Sequence, residues 1–268
     1  MKSTNTSPIF IFSAGWRSGS TMLQRMITAT NETLIWGEAG GAINSFSDAY
    51  TRYEQMLGEG KKLYKHGYGG NGAKQYEKMC ENTKEIAHEW VACLNPPLEI
   101  IADSIRDSIE SIYKKPALEL GYKNWGIKEV QSNIETAFFL KKLFPQAKFI
   151  FLVRNPMNCL LSIKRRGWMD KHNDRKAIIY YANHWLNLAK SFQNLDFGIL
   201  IKYENLIAND DNAVQKLADY LEIPTLSNTF IAKSHVDWQA ENNERLTFFE
   251  RKKALAIIGN EMRKFNYK

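Results

Sequence analysis

Two stretches of this chain hold residue types and spacings suited to gripping phosphate or sulfate. The first is Gly15-Trp16-Arg17-Ser18-Gly19-Ser20-Thr21. Its glycines let backbone N–H groups turn towards one point. Arg17 adds a full positive charge, and Ser18, Ser20 and Thr21 add hydroxyl donors, which together make an anion cradle. The second is Arg154-Asn155-Pro156 followed by Ser162. An arginine and a serine so placed suit a second phosphate. A third set suits proton and charge handling: Glu38, just after Trp36-Gly37, and the pair Lys128-Glu129. A group-transfer enzyme must position its reactants, take up a proton and neutralise charge on the leaving oxygen.

The elements around these residues are readable. Ile9-Phe10-Ile11-Phe12 is an apolar, β-rich run of the kind found in buried parallel strands. After the loop, Met22, Leu23, Met26 and Ile27 fall on one helical face. A strand, a glycine-containing loop and a helix converge loop N–H groups and a positive helix end on an anion. The spacing therefore predicts an anionic, nucleotide-like ligand within the first thirty residues. Phe149-Ile150-Phe151-Leu152-Val153 reads as another buried strand, with Arg154 at its C-terminal end and Pro156 suited to a helix's first turn. Ligands of open α/β sheets sit at that end of the strands. Glu38 is expected beyond the first helix, facing the same cleft.

The loop is not an ATP-type P-loop. That motif reads GxxxxGK[ST]. Here one residue fewer separates the glycines, Ser20 stands where the Lys should be, and the cation, Arg17, precedes the second glycine. No later apolar strand ends in an Asp placed as a metal ligand. An ATP-dependent small-molecule kinase with an atypical loop is thus the alternative reading rather than the first.

At this point the chain resembles the sulfotransferases that use PAPS, 3'-phosphoadenosine 5'-phosphosulfate. The resemblance rests on four passages in the family's order: the Arg17–Thr21 loop, Gly126-Ile127-Lys128-Glu129 with Phe144-Pro145-Gln146-Ala147-Lys148, Arg154 with Ser162, and Tyr203-Glu204-Asn205-Leu206. It implies that Arg17, Ser18, Gly19, Ser20 and Thr21 hold the 5'-phosphosulfate, and that Arg154 and Ser162 hold the 3'-phosphate. It further implies that Lys128, helped by Arg17, stabilises the bridging oxygen, and that Tyr203 contacts the adenine. The Lys-Thr-His passage and the C-terminal RKGxxGxxK loop of animal cytosolic members are absent. The chain is closer to the branch with a Glu base, which includes tyrosylprotein and bacterial small-molecule enzymes. In that branch the base lies at the distance of Glu38 from the loop arginine. Glu129 is the second candidate base. The implied product is PAP, 3'-phosphoadenosine 5'-phosphate. No metal is expected, because cations would neutralise the leaving group.

Composition sets bounds. The chain has 268 residues, 44% of them hydrophobic, enough for one sizeable α/β domain. Its formal charge is +7. The basic residues are scattered, and no zinc-finger, RRM or basic-zipper signature accompanies them, so a positive cleft for a polyanionic donor explains the charge better than nucleic-acid binding. No stretch has the length of a membrane helix. With the first strand starting near residue 9, a soluble cytoplasmic enzyme is expected. Cys80, Cys93 and Cys159 read as reduced thiols, and the five histidines show no metal spacing.

The expected fold is a single P-loop-like, three-layer α/β domain over 1–268, with a mainly parallel sheet between helical layers. Strands are expected near 8–13, 124–128, 148–153 and 197–202. Helices are expected near 20–30, 48–57, 73–93, 103–114, 132–143, 156–165, 175–193, 209–221 and 246–264. A largely helical insert, about 36–122, would shape the acceptor side, and Gly67, Gly69, Gly70 and Gly72 mark a turn within it. Arg165 and Arg166 read as solvated helix-end cations, and Trp16 as a residue that shields a ligand or packs. The acceptor is expected to be a small molecule with a hydroxyl or amine, possible in natural-product tailoring.

Overall fold

A computed structural model describes residues 7–57, 79–81, 95–169, 174–208, 211–223, 226 and 245–268. Its centre is a five-stranded, wholly parallel sheet in the order β2-β3-β1-β4-β5. The strands are β1 (Ile9–Ser13), β2 (Thr33–Trp36), β3 (Asn124–Glu129), β4 (Lys148–Val153) and β5 (Ile199–Lys202). β1 lies in the middle because every residue of Ile9–Ser13 is apolar or small and all are buried. Side chains alternate across a strand. Ile9 and Ile11 of β1 therefore join one core, with Ile150, Leu152, Ile199 and Ile201. Phe10 and Phe12 join the other, with Trp125, Phe149 and Phe151.

Helices cover both faces. The aliphatic core is capped by α1 (Ser20–Thr28), α8 (Tyr203–Ile207) and α9 (Asp211–Leu221), through residues such as Leu23, Leu206 and Leu217. The aromatic core is capped by α2 (Ala42–Leu57), α3 (Leu98–Ile109), α5 (Ile134–Leu143), α6 (Pro156–Lys164), α7 (Asp174–Phe192) and α10 (Phe248–Lys264). The short α4 (Lys115–Glu119) follows a single π-turn at Glu110–Lys114. Phe149 and Phe151 are fully enclosed among other rings. Truncating either to alanine costs about 3–5 kcal/mol.

Gly126 fixes the close approach of three strands. A Cβ there would lie 2.2 Å from the Ile9 carbonyl oxygen and 2.6 Å from Ile35 Cδ1. The glycine of the Gly126–Glu129 passage is thus a packing requirement that brings Lys128 to the sheet edge.

The structure corrects several expectations. Thr33–Trp36 is a strand that the sequence reading lacks. Its four residues are too short a run to stand out. α2 starts at Ala42 rather than near 48, because Ile43, Ser47 and Tyr50 already form its buried stripe. α3 starts at Leu98 rather than 103. Of the helix expected near 73–93, only the helical residues 79–81 are described, and Gly67, Gly69, Gly70 and Gly72 lie outside the described residues.

The C-terminal helix is tied down. Thr247 and Glu250 form a capping box at the start of α10. Glu250 also takes Lys164 Nζ from α6 on both oxygens, at 2.7 and 2.8 Å. Burial pushes the Glu250 carboxyl up, but the Lys164 and Thr247 hydrogen bonds outweigh it and hold the group below its ordinary value.

Candidate active site

The loop between β1 and α1 has an unusual backbone. Gly15, Arg17 and Gly19 all have positive φ, at 81°, 62° and 93°. At Gly19 only glycine fits. A Cβ there would sit 2.1 Å from the Tyr203 ring. Gly19 caps α1 without any side-chain hydrogen bond to the helix's first amides. Among the described residues, the Ser18–Thr21 amides donate to no protein group. Ser18 is 0% exposed, and its hydroxyl also has no partner. A buried polar group without a partner is costly. Such a group beside free amides at a helix N-terminus can be satisfied by an anion.

The second motif meets the first directly. Arg17 Nε donates to Ser162 Oγ at 3.0 Å. Arg154 Nη1 donates to the Arg17 carbonyl oxygen at 2.8 Å. Arg154 Nε is buried without a partner. The guanidinium lies 4.3 Å from the centre of the Tyr203 ring, a cation–π contact. Tyr203 is buried between Arg154 and Gly19, so here it positions both motifs. Burial, then Arg166, then Arg154 push the Arg17 guanidinium below its ordinary value. Three cations so close repel one another and favour an anion among them. Arg166, expected to be a solvated helix-end residue, is half-buried and part of this cluster, whereas Arg165 is exposed.

Several residues brace the cluster. Asn155 caps α6 through its own side chain, which accepts from the Met157 amide. Glu204 accepts from the Asn155 amide at 2.8 Å and from the Tyr267 hydroxyl at 2.9 Å. The Tyr203-Glu204 pair thus holds the β4–α6 turn from beneath. Trp185 of α7 donates to the Arg154 carbonyl oxygen at 3.0 Å. Cys159 Sγ lies 3.7 Å from the Arg17 carbonyl oxygen. Burial pushes its thiol up to about 12, so it packs as a neutral group.

At the end of β3, Lys128 is ion-paired to Glu38 in the loop after β2. The Lys128 side chain is 4% exposed and that of Glu38 is 34% exposed. The structure therefore brings together the two residues that the sequence analysis marked for base and cation. Glu38 also lies close enough to Arg17 to favour its charge. A carboxylate open to solvent beside a buried ammonium can take a proton from an incoming nucleophile, while the ammonium moves to a developing oxyanion.

Glu129 has a different place. Neighbouring strand residues face opposite sides of the sheet. Glu129 turns into the aromatic layer, is 2% exposed, and has no partner of good geometry for either oxygen. Burial raises its carboxyl to about 6. The nearby Ala39 amide and Ser132 hydroxyl only moderate the rise. It forms no ion pair among the described residues.

An open cavity of about 650 Å³ on the α3–α4 side, lined by Asp107, Glu110, Lys114 and Leu118 among others, contains none of these residues. Among the described residues, no group of three or more His, Cys, Asp or Glu could hold a metal ion. No helix among them is long and apolar enough to cross a membrane.

A family model described as "Sulfotransferase family" matches residues 8–227. That stretch runs from β1 through the loop, the Lys128 and Arg154 motifs and Tyr203. The chain belongs to the sulfotransferase family. Among solved structures, this sulfotransferase is similar to a sulfotransferase domain from the curacin biosynthetic pathway, at 15% identity and a TM-score of 0.50, covering 98% of each chain. It is also similar to a sulfotransferase from Alicyclobacillus acidocaldarius, at 14% identity and a TM-score of 0.50, covering 97% of this chain and 96% of that one. These likenesses concern the fold. No curated protein matches it by sequence. The sulfotransferase is thus an enzyme with a parallel-sheet α/β fold.

The sequence analysis missed three contributors: Glu204, Trp185 and His184. Glu204 lies within the Tyr203–Leu206 passage and was available there. Trp185 and His184 sit in a long, mixed helix whose pattern does not single them out. His184 Nε2 lies 3.1 Å from the Val130 carbonyl oxygen. A carbonyl only accepts, so that nitrogen is assigned the proton. Burial lowers the tendency of this ring to take a second one.

Proposed function

We propose that this sulfotransferase moves the sulfuryl group from PAPS to a hydroxyl or amine of a small-molecule acceptor and releases PAP. The carrying observation is the contact of Arg17 with Ser162, which merges two anion motifs into one site. PAPS presents two anionic ends on one small nucleotide, and the residues fit it. The Arg17–Thr21 loop, with its orphaned Ser18 hydroxyl, suits the 5'-phosphosulfate. Arg154 and Ser162, with the orphaned Arg154 Nε, suit the 3'-phosphate. Tyr203 sets the plane of Arg154 and borders the nucleotide end of the site.

In the proposed reaction Glu38 accepts the proton of the attacking hydroxyl or amine. Lys128, released from Glu38 as that carboxylate is neutralised, turns its ammonium to the oxygen that leaves with PAP. Arg17 shares the charge. The S–O bond to the nucleotide breaks as the bond to the acceptor forms, and the acceptor's proton ends on Glu38. These side chains need no metal ion to balance the charge.

The test is turnover. Purified enzyme is given PAPS with a mixture of phenols, alcohols and amines, and in parallel ATP with magnesium. PAP release that needs an acceptor and falls about a hundredfold or more in Lys128→Ala supports the reading. Transfer from ATP but not from PAPS would put the kinase alternative in its place.

A further inference from the structure

The outer side of α10 carries apolar side chains that the fold does not bury. The inner side joins the aromatic core through Ala254, Ile258 and Met262 and packs on α7 and α6. Residues three and four apart share a helical face. Lys252 therefore stands beside both Phe248 and Phe249, and Leu255 follows one turn later. Phe248 is 73% exposed and Phe249 79%, and Leu255 is exposed as well. No large apolar side chain among the described residues is more open than these two rings. They touch each other edge to face at 5.7 Å. Rings this open protrude rather than sit in a groove. Their base is firm, because the Thr247–Glu250 capping box fixes the first turn and Lys164 holds Glu250.

Charge on this helix is sorted by side. Its two acidic residues, Glu250 and Glu261, are buried and each is paired with a lysine. Arg251, Lys252, Arg263 and Lys264 are exposed, and Lys253 is half-buried. The solvent side of α10 is thus apolar and positive, with no acid of its own. Adjoining exposed rings mark an interaction site, and the charge around them complements an anionic partner. A protein partner would need a pocket cut to both protruding rings. A fluid lipid interface needs none: phenyl rings enter the acyl boundary, and Lys and Arg stay among the headgroups.

We propose that α10 docks this enzyme on an anionic membrane surface. Phe248, Phe249 and Leu255 sit at the headgroup boundary, and Arg251, Lys252 and Lys253 meet lipid phosphates. The helix lies on the bilayer and does not cross it. This surface shares no residue with the donor site, so the proposal does not depend on the PAPS reading.

The test is co-sedimentation of the purified protein with vesicles of pure phosphatidylcholine and of phosphatidylcholine mixed with phosphatidylglycerol. The variants Phe248→Ser/Phe249→Ser and Lys252→Glu are run alongside. The protein should bind the mixed vesicles at least about tenfold more strongly than the neutral ones, since each basic residue near such a surface is worth about fivefold. The double phenylalanine variant should lose about tenfold or more of that binding. Lys252→Glu should lose about fivefold or more. Both variants should melt as the unchanged protein does, because these side chains lie outside the core. No binding to either vesicle, equal binding to both, or indifference to the phenylalanine change would overturn the proposal. A dimer in sedimentation velocity that disappears in the double variant would overturn it too, because a second copy would then cover the rings.

Discussion

Arg17 and Ser162 are hydrogen-bonded at 3.0 Å although 145 positions separate them in the chain. Each belongs to a strand-loop-helix unit with its own anion motif. The sheet order places β1 next to β4, so the two loops emerge side by side. A ligand with two anionic groups is what such a double site fits.

The 3'-phosphate assignment has a selective consequence. Arg154→Ala should weaken PAP about ten- to a hundredfold, since a hydrogen bond to a charged group is worth about 1.5–3 kcal/mol. Binding of AMP, which lacks that phosphate, should change little. Arg154→Lys should not restore PAP binding fully, because a lysine cannot both stack flat on Tyr203 and reach the Arg17 carbonyl oxygen. Calorimetry with both nucleotides checks this.

The Lys128–Glu38 pair governs turnover. Glu38→Gln keeps an acceptor for the buried ammonium while removing the base. It should lower kcat about 10²–10⁴-fold with PAP affinity retained. Lys128→Ala should cost about 10²–10³ in kcat. Glu38→Ala is the poorer probe. It leaves a 4%-exposed ammonium unpaired. That penalty is about 3–5 kcal/mol in a closed site and smaller here, since Glu38 is 34% exposed. Steady-state kinetics and thermal melts together separate the two effects.

Gly19→Ala should abolish donor binding and lower the melting temperature, because the new methyl runs into the Tyr203 ring. Gly19→Ala with Tyr203→Ala should recover part of the stability. It should not recover PAP affinity, since Arg154 then loses the ring beneath it. A melt and a PAP titration on the single and double variants check this. Full recovery of PAP binding would show that Tyr203 does not position Arg154.

Glu129 should make stability depend on pH in an unusual direction. Its folded-state value is raised from 4.5 to about 6, mainly by burial. The folded protein therefore holds this proton more tightly than the unfolded chain does. The favourable contribution is fully present below pH 4.5 and is lost as pH rises through about 6. Glu129→Gln should then stabilise the protein above pH 7 by up to about 2 kcal/mol and change little near pH 4. Chemical denaturation at both pH values measures it.

Much of this was written in the sequence because apolar runs and loop chemistry are local. The strands at 9–13 and 148–153 are unbroken hydrophobic stretches, and each leads into a loop whose residue types name an anion. Thr33–Trp36 was hidden because two of its four side chains are only half-buried and polar residues precede it. Gly40 and Gly41 masked the start of α2, although Ile43, Ser47 and Tyr50 carry its stripe. Lys128 and Glu129 look alike as site candidates in one dimension. Only the two faces of the strand separate them, one ion-paired at the cleft and the other shut in the aromatic layer. Trp16 could be marked as a residue that packs or shields, but its partners Tyr181 and His184 could not, since they lie on a helix that begins at residue 174.

The measurement closest to the central claim is calorimetric titration of the purified protein with PAP, AMP and ATP with magnesium. The account expects PAP to bind at least about tenfold more tightly than AMP, because only PAP engages Arg154 and Ser162 through a 3'-phosphate. It also expects magnesium ATP to bind no better than AMP. Equal binding of PAP and AMP, or preference for magnesium ATP, would contradict it.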